Sequence, residues 1–350
     1  MDRRQRTSIQ SYRHTVGTGI LLSTVALLEK LYLPTVPRSY HTPGALGHGR
    51  ASCMHVVLRP LAGLGLKHRG KCTVHSMNRL GHQLASHYGN VREVYDSAPF
   101  YAPGPYEEWL ASACIERLKL TASHKLADVG GGSGSFAAKL KQEVGARWLT
   151  VVEPSADMLA GAATNPLVDA AECKDANAWA KDAPSRKSGV PETYNCVLLK
   201  EVVHHFSTSE RQSIFSLICS HRLDASDGRL LIVTRPQHNI DYPLWPAARD
   251  VWARNQPSET KLMDELRAAG FDKVECHLHA YPHAVKIEEW CRIVSGRFWS
   301  TFSHFTDEEL LEGCAKIRAD AQEPARQDAE TLHFEDRLLL IVAATSSSEH

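Results

Sequence analysis

The chain has 350 residues, 43% hydrophobic and 23% charged, the balance of a globular protein built as one large domain or two small ones. Its formal net charge of zero gives no whole-chain argument for nucleic acid or another strongly charged partner. No apolar run reaches the roughly 18–20 residues of a membrane span; the best candidate, Val16 to Leu28, contains Gly, Ser and Thr and stops at Glu29 and Lys30.

Charge is unevenly distributed. Residues 1–90 hold 12 Lys and Arg against two acids, Asp2 and Glu29, leaving 28 basic and 38 acidic side chains in the other 260 residues. The Arg-, Ser- and His-rich start, with Arg3, Arg4, Arg6 and Arg13, resembles an organellar transit peptide, which would send the protein to a mitochondrion or plastid. A secretory signal lacks a clean cleavage site, and an untranslated stretch ahead of Met77 is the plain alternative. Without targeting, the expectation is cytoplasmic. The nine cysteines are scattered with no C-x-x-C pair, which suits a reducing compartment. The expected organisation is therefore an extension over 1–90, one domain over 91–345 and a frayed tail over 346–350.

In chain order, Tyr106 to Lys119 reads as an amphipathic helix, with Trp109, Leu110, Ala113, Ile115 and Leu118 near a 3.6 period. A short strand, Lys125 to Val129, runs into Gly130, Gly131, Gly132, Ser133 and Gly134, and a helix over Ser135 to Glu143 follows. Strand 148–153, helix 156–163 behind Ser155 as N-cap, and a weak strand near 170–173 come next. Then come strand 194–199, helix 209–222 and strand 229–235. Strands alternating with helices at this spacing predict a parallel sheet covered on both faces. Helix 258–269 closes at Gly270, and strands 271–279 and 337–344 end the pattern with no ordinary crossover helix between them. That predicts an antiparallel last strand. The interval 280–336, with helical stretches near 287–294 and 306–318, is too long for a bare loop and is expected to be a lid or substrate insert.

Four features fall in order on these strands. Asp128 precedes the glycines, whose backbone can turn tightly and approach a ligand, and the next helix offers free N–H groups to a carboxylate. Glu153 ends the second strand, where a carboxylate can accept both hydroxyls of a ribose. Asp175 follows the third, placed for an adenine amino group. The run from Leu198 through Lys200 to Phe206 opens the fourth strand toward the crevice. The segments D-V-G-G-G-S-G, V-V-E-P-S-A-D-M-L, L-L-K-E-V-V-H-H-F and L-R-A-A-G-F resemble class I S-adenosylmethionine (SAM)-dependent methyltransferases, particularly the small-molecule group called methyltransferase type 11. The resemblance covers about residues 90–345. It implies an α/β, Rossmann-like sheet with helices on both faces, an antiparallel last strand and a helical lid. SAM is the implied cofactor, held by Asp128, Gly130, Gly132, Gly134, Glu153, Asp175, Ala176 and Lys200. The alternatives are a nicotinamide- or flavin-linked oxidoreductase, since Gly132 to Ala137 fits G-x-G-x-x-A, and a non-catalytic binding protein that keeps the fold.

Methyl transfer needs alignment and a dry site more than covalent help. Where a general base is required, His204 and His205 are the candidates; the plain alternative is packing for one and solvation for the other. The resemblance implies an N-terminal cap that folds over the cofactor and brings Tyr95, Tyr101 and Tyr106 near the sulfonium; ordinary core packing is the plain alternative for each. The acceptor is expected to be a flat or apolar small molecule met by Tyr242, Trp245, Trp299 and His304, from segments 236–257 and 290–305, unless those aromatics are the lid's own core. Cys276, His277, His279 and His283 lack a convincing ligand set, so no metal is expected. The acidic balance of 91–350 and the absence of an Asn/Asp-Pro-Pro-Tyr motif argue against a nucleic-acid substrate.

Overall fold

A computed structural model describes residues 103–182, 189–322 and 330–345. Residues 1–90, Tyr95, Tyr101 and the tail 346–350 lie outside them. Among the described residues, seven strands form one sheet in the order β3-β2-β1-β4-β5-β7-β6. They are β1 (Lys125–Val129), β2 (Trp148–Val152), β3 (Ala170–Glu172), β4 (Cys196–Lys200), β5 (Arg229–Thr234), β6 (Lys273–Lys286) and β7 (Thr331–Ala344). The first five are parallel, and β7 runs antiparallel to both β5 and β6. This is the Rossmann-like arrangement expected from the alternating pattern.

Because side chains alternate across a strand, the near-continuous apolar runs of β1, β4 and β5 feed two separate cores. On one face Leu126, Leu198, Leu231 and Val233 pack with α1 (Pro105–Leu118) and α2 (Ser135–Val144). On the other, Ala127, Val197, Leu199 and Ile232 meet Trp179 of α4 (Ala176–Lys181), Ile214 and Phe215 of α5 (Thr208–Leu217) and Leu262 of α7 (Glu259–Ala268). Helix α3 (Ala156–Thr164) is capped by Ser155, whose hydroxyl accepts from the Met158 amide. Helix α6 (Pro246–Asn255) falls within the segment read only for its aromatics; Pro246 in its first turn is the start signal that reading passed over.

The last two strands are longer than their periodicity suggested. β6 continues to Lys286 and β7 begins at Thr331, so the insert between them runs from 287 to 330. Pro282 stands on β6, the sheet's edge, which is where a strand accommodates proline. Since Thr234, the last residue of β5, pairs with Leu339, the ribbon of 279–286 and 331–338 projects past the carboxyl ends of the parallel strands. On it sit α8 (Ile287–Ser295), a 3₁₀ turn (Ser300–His304) and α9 (Asp307–Ala321). Among the described residues, no helix is long and apolar enough to cross a membrane.

Gly313 of α9 lets the insert pack closely on Trp245, the residue before α6, since a Cβ there would lie 2.7 Å from the Trp245 ring. Gly313→Val is expected to lower stability by about 1–3 kcal/mol through overpacking, read as a lower denaturant midpoint at unchanged slope.

Candidate functional site

The order β2-β1-β4 places a crevice at the carboxyl end of β1, where successive connections leave to opposite sides. The glycine turn forms its floor. Gly130 and Gly131 both donate to the Val152 carbonyl, at 2.7 and 3.2 Å, so the turn stays tied to the end of β2. Gly130 has φ +76°, and a Cβ on it would stand 2.5 Å from Cγ1 of Val202. A Cβ on Gly131 would fall onto the Asp128 carboxylate, 2.7 Å from its Cγ. Only glycine satisfies both positions.

Three ionisable groups face this turn. Asp128 is buried, and desolvation pushes its carboxyl up to about 7, with Lys200 pulling it down and Glu153 pushing it up. Glu153 is also raised by burial, against two backbone donors that hold it: Gly132 N–H to Oε2 at 3.2 Å and Ser155 N–H to Oε1 at 2.9 Å. Lys200 ends β4 with its Nζ 5.0 Å from the centre of the Phe136 ring. Burial, then Arg235, lowers it to about 8, opposed by Asp128. At the end of β3, Asp175 is exposed and its Oδ1 accepts from the Ala178 amide at 2.8 Å, capping α4, while Ala176 is buried.

Beside the turn lies a buried polar cluster that sequence reasoning missed. Arg235, one residue beyond β5, donates from Nε to Tyr242 Oη at 2.9 Å and Asp336 Oδ1 at 3.1 Å, and from a terminal nitrogen to Asp336 Oδ2 at 3.2 Å. Its other terminal nitrogen bonds Glu201 Oε2. Asp336 also accepts from the hydroxyls of Tyr106, at 2.5 Å, and Tyr242. Burial raises Asp336, but Arg235 and these hydrogen bonds outweigh it and hold the carboxyl below its usual range. Both tyrosines are pushed well up, by burial first and Asp336 second. The available signal was a charged residue, Asp336, two positions before an unbroken apolar run.

His204 and His205 lie on a 3₁₀ turn (Val203–His205) after β4, ring centres 4.0 Å apart. Burial takes His204 down to about 4, so it is neutral at neutral pH, and its Nδ1 is buried without a partner. Tyr242, Trp245 and Trp299 are buried among aromatics: Tyr242 and Trp299 meet edge to face at 5.0 Å, and Trp245 stacks with Phe302 at 6.2 Å. The Arg235 guanidinium lies 5.2 Å from the Trp299 ring centre. His304 is exposed, its Nε2 3.1 Å from the Asn255 amide. His277 pairs with Glu275 on the edge strand at 3.3 Å.

The family model described as a methyltransferase domain matches residues 106–276. No curated protein sequence matches the chain. Similar solved structures include the YcgJ protein of Bacillus subtilis, at 15% identity and TM-score 0.46 over 68% of this chain and 99% of that one. Another is a Haemonchus contortus phosphoethanolamine N-methyltransferase 2 in complex with phosphomonomethylethanolamine and S-adenosylhomocysteine, at 16% and 0.44 over 75% and 56%. A third is a Synechocystis magnesium protoporphyrin IX methyltransferase with bound SAM, at 12% and 0.36 over 77% and 86%.

Removing Asp336 leaves Arg235 buried with Glu201 as its remaining carboxylate. Asp336→Ala is expected to cost about 3 kcal/mol, read by denaturant unfolding at pH 7. Since the folded carboxyl is depressed, its contribution is complete above the unfolded value of about 4 and fades as pH falls through the folded value. Wild type and variant should therefore converge in acid.

Proposed function

We propose that this SAM-dependent methyltransferase, whose residues 106–276 form a methyltransferase domain, transfers its methyl group to a small, flat or apolar acceptor. The observation that carries the reading is the gathering of the glycine turn, Asp128 and Glu153 at one crevice; the aromatic insert carried on the extended β6–β7 ribbon reaches the neighbouring Arg235 through Trp299.

The residues present fit the cofactor. Asp128 is a buried carboxylate whose raised value marks an unmet need for positive charge, which an amino-acid ammonium satisfies. Glu153, held by two backbone amides, keeps lone pairs for ribose hydroxyls. Asp175 and Ala176 are assigned to the adenine and Lys200 to the carboxylate of the amino-acid end. When bound, SAM supplies a methyl group on a positively charged sulfur, open to in-line displacement. The protein's work is then to align the acceptor and exclude water. Where the acceptor must lose a proton, His204 and His205 are the groups assigned to take it, although burial, by lowering His204 to about 4, makes it a weak base. The density of aromatic side chains in the insert and in the segment around α6 supports a flat or apolar small acceptor over a macromolecule.

Calorimetric titration of the full chain with SAM, S-adenosylhomocysteine and NADH tests this. The expected result is micromolar binding of the first two, abolished in Asp128→Ala and Glu153→Ala, and methyl transfer from labelled SAM within a small-molecule acceptor panel. Binding of NADH alone would move the oxidoreductase alternative to the front. The same titration has a pH signature. Burial raises Asp128 to about 7, so the protonated form prevails below that pH, and a cationic partner binds better above it. SAM affinity should fall up to about tenfold from pH 8 to pH 6, and Asp128→Asn should flatten the profile.

A further inference from the structure

Glu201 follows β4 directly, and its backbone lies in the left-handed region at φ +58°. A side chain with a Cβ is disfavoured there, so surrounding contacts must hold it. What the turn achieves can be read from the alternation. Leu198 faces the core of α1 and α2, Leu199 the opposite core, and Lys200 returns to the first side over Phe136. A continued strand would aim Glu201 at the second core. The left-handed turn instead brings it to Arg235, whose other partners, Tyr106 and Tyr242 through Asp336, belong to the first core.

Charge balance does not require this arrangement, because Asp336 already neutralises Arg235. Glu201 is a second carboxylate on the same guanidinium. Arg235 occupies its Oε2, while Oε1 is buried and has no hydrogen-bond partner. An ionised oxygen left in that condition is costly unless something donates to it. The next residue, Val202, abuts Gly130, so Glu201 stands beside the cofactor turn. Three residues further on, His204 Nδ1 is the other partnerless polar atom of this stretch.

We propose that Glu201 binds the methyl acceptor, its Oε1 receiving a hydrogen bond from a hydroxyl or amino group carried on a ring or other apolar body. This rests on the methyltransferase reading above. Arg235 fixes the carboxylate through Oε2 and so orients Oε1, and the buried aromatics Trp299 and Tyr242 line the guanidinium side of the pair.

The test uses the full chain saturated with S-adenosylhomocysteine and three ring probes of similar size: phenol, benzylamine and benzoate. Phenol and benzylamine carry a donor; benzoate carries only an anionic acceptor. Phenol or benzylamine should bind at least about tenfold more tightly than benzoate, and in Glu201→Gln the gap should shrink below about threefold. S-adenosylhomocysteine affinity should be preserved in the variant. Glu201→Gly, which adopts the same φ without strain, should lose the discrimination too and covers the case in which the glutamine variant folds poorly. Benzoate binding as tightly as the donors, no measurable probe binding, or a gap unchanged in both variants would overturn the assignment. If S-adenosylhomocysteine itself fails to bind wild type, the cofactor reading falls and this assignment with it; if it binds without discrimination among the probes, only Glu201 falls.

Discussion

A guanidinium keeps its charge inside a protein, so Arg235, 4% exposed, obliges its surroundings to supply acceptors. The groups that answer come from distant parts of the chain. Asp336 is on β7, Glu201 follows β4 and Tyr242 stands ahead of α6, while Tyr106, opening α1, joins through Asp336, to which its hydroxyl donates. One cation thereby ties the first helix, the ends of the two central strands and the projecting ribbon together at the carboxyl edge of the sheet. Paired ions in a low-dielectric interior are weak sources of net stability, yet removing one partner is expensive. The cluster therefore selects one arrangement of these elements more than it strengthens the fold.

The glycine turn works by the opposite means, through absence of side-chain volume. Val202 presses on Gly130 and the Asp128 carboxylate fills the space over Gly131, so the backbone of the turn packs where side chains would normally stand. This keeps Asp128 dry, and dryness lifts its carboxyl toward neutrality. Glycine at 130 and Glu201 at +58° are two halves of one junction: the first yields to Val202, and the second turns the chain so that Val202 can reach it.

Much of the fold was readable because its causes are local. Apolar runs, glycine closures and the hydroxyl of Ser155 act within a few residues, and the antiparallel end followed from two strands lacking a crossover helix. The glycine motif was readable for the same reason, since steric need at Gly130 and Gly131 leaves one residue type. Arg235 and Asp336 were not, because they are 101 positions apart and meet only through the β5–β7 register. The full length of β6 was hidden by Pro282, which usually ends a strand and is harmless on an edge. Tyr242 and Trp299 carry a composition that suits either a lid core or a binding wall. Both are buried, and burial fits either role, so neither composition nor packing assigns the role.

The projecting ribbon is what joins these parts into a site. Had β6 and β7 stopped level with β5, Asp336 would have no place beyond Thr234, Arg235 would face solvent, and the insert would have no support above the crevice. Extending the strands by one ribbon supplies a carboxylate for the arginine on its inner face and a platform for α8 and α9 on top. Asp128 and Arg235 are both buried there, and a low-dielectric setting strengthens the charge interactions they make. A reaction that moves a methyl group from a cation without covalent help depends on such a setting. Its geometry here traces back to the register that sets Leu339 opposite Thr234.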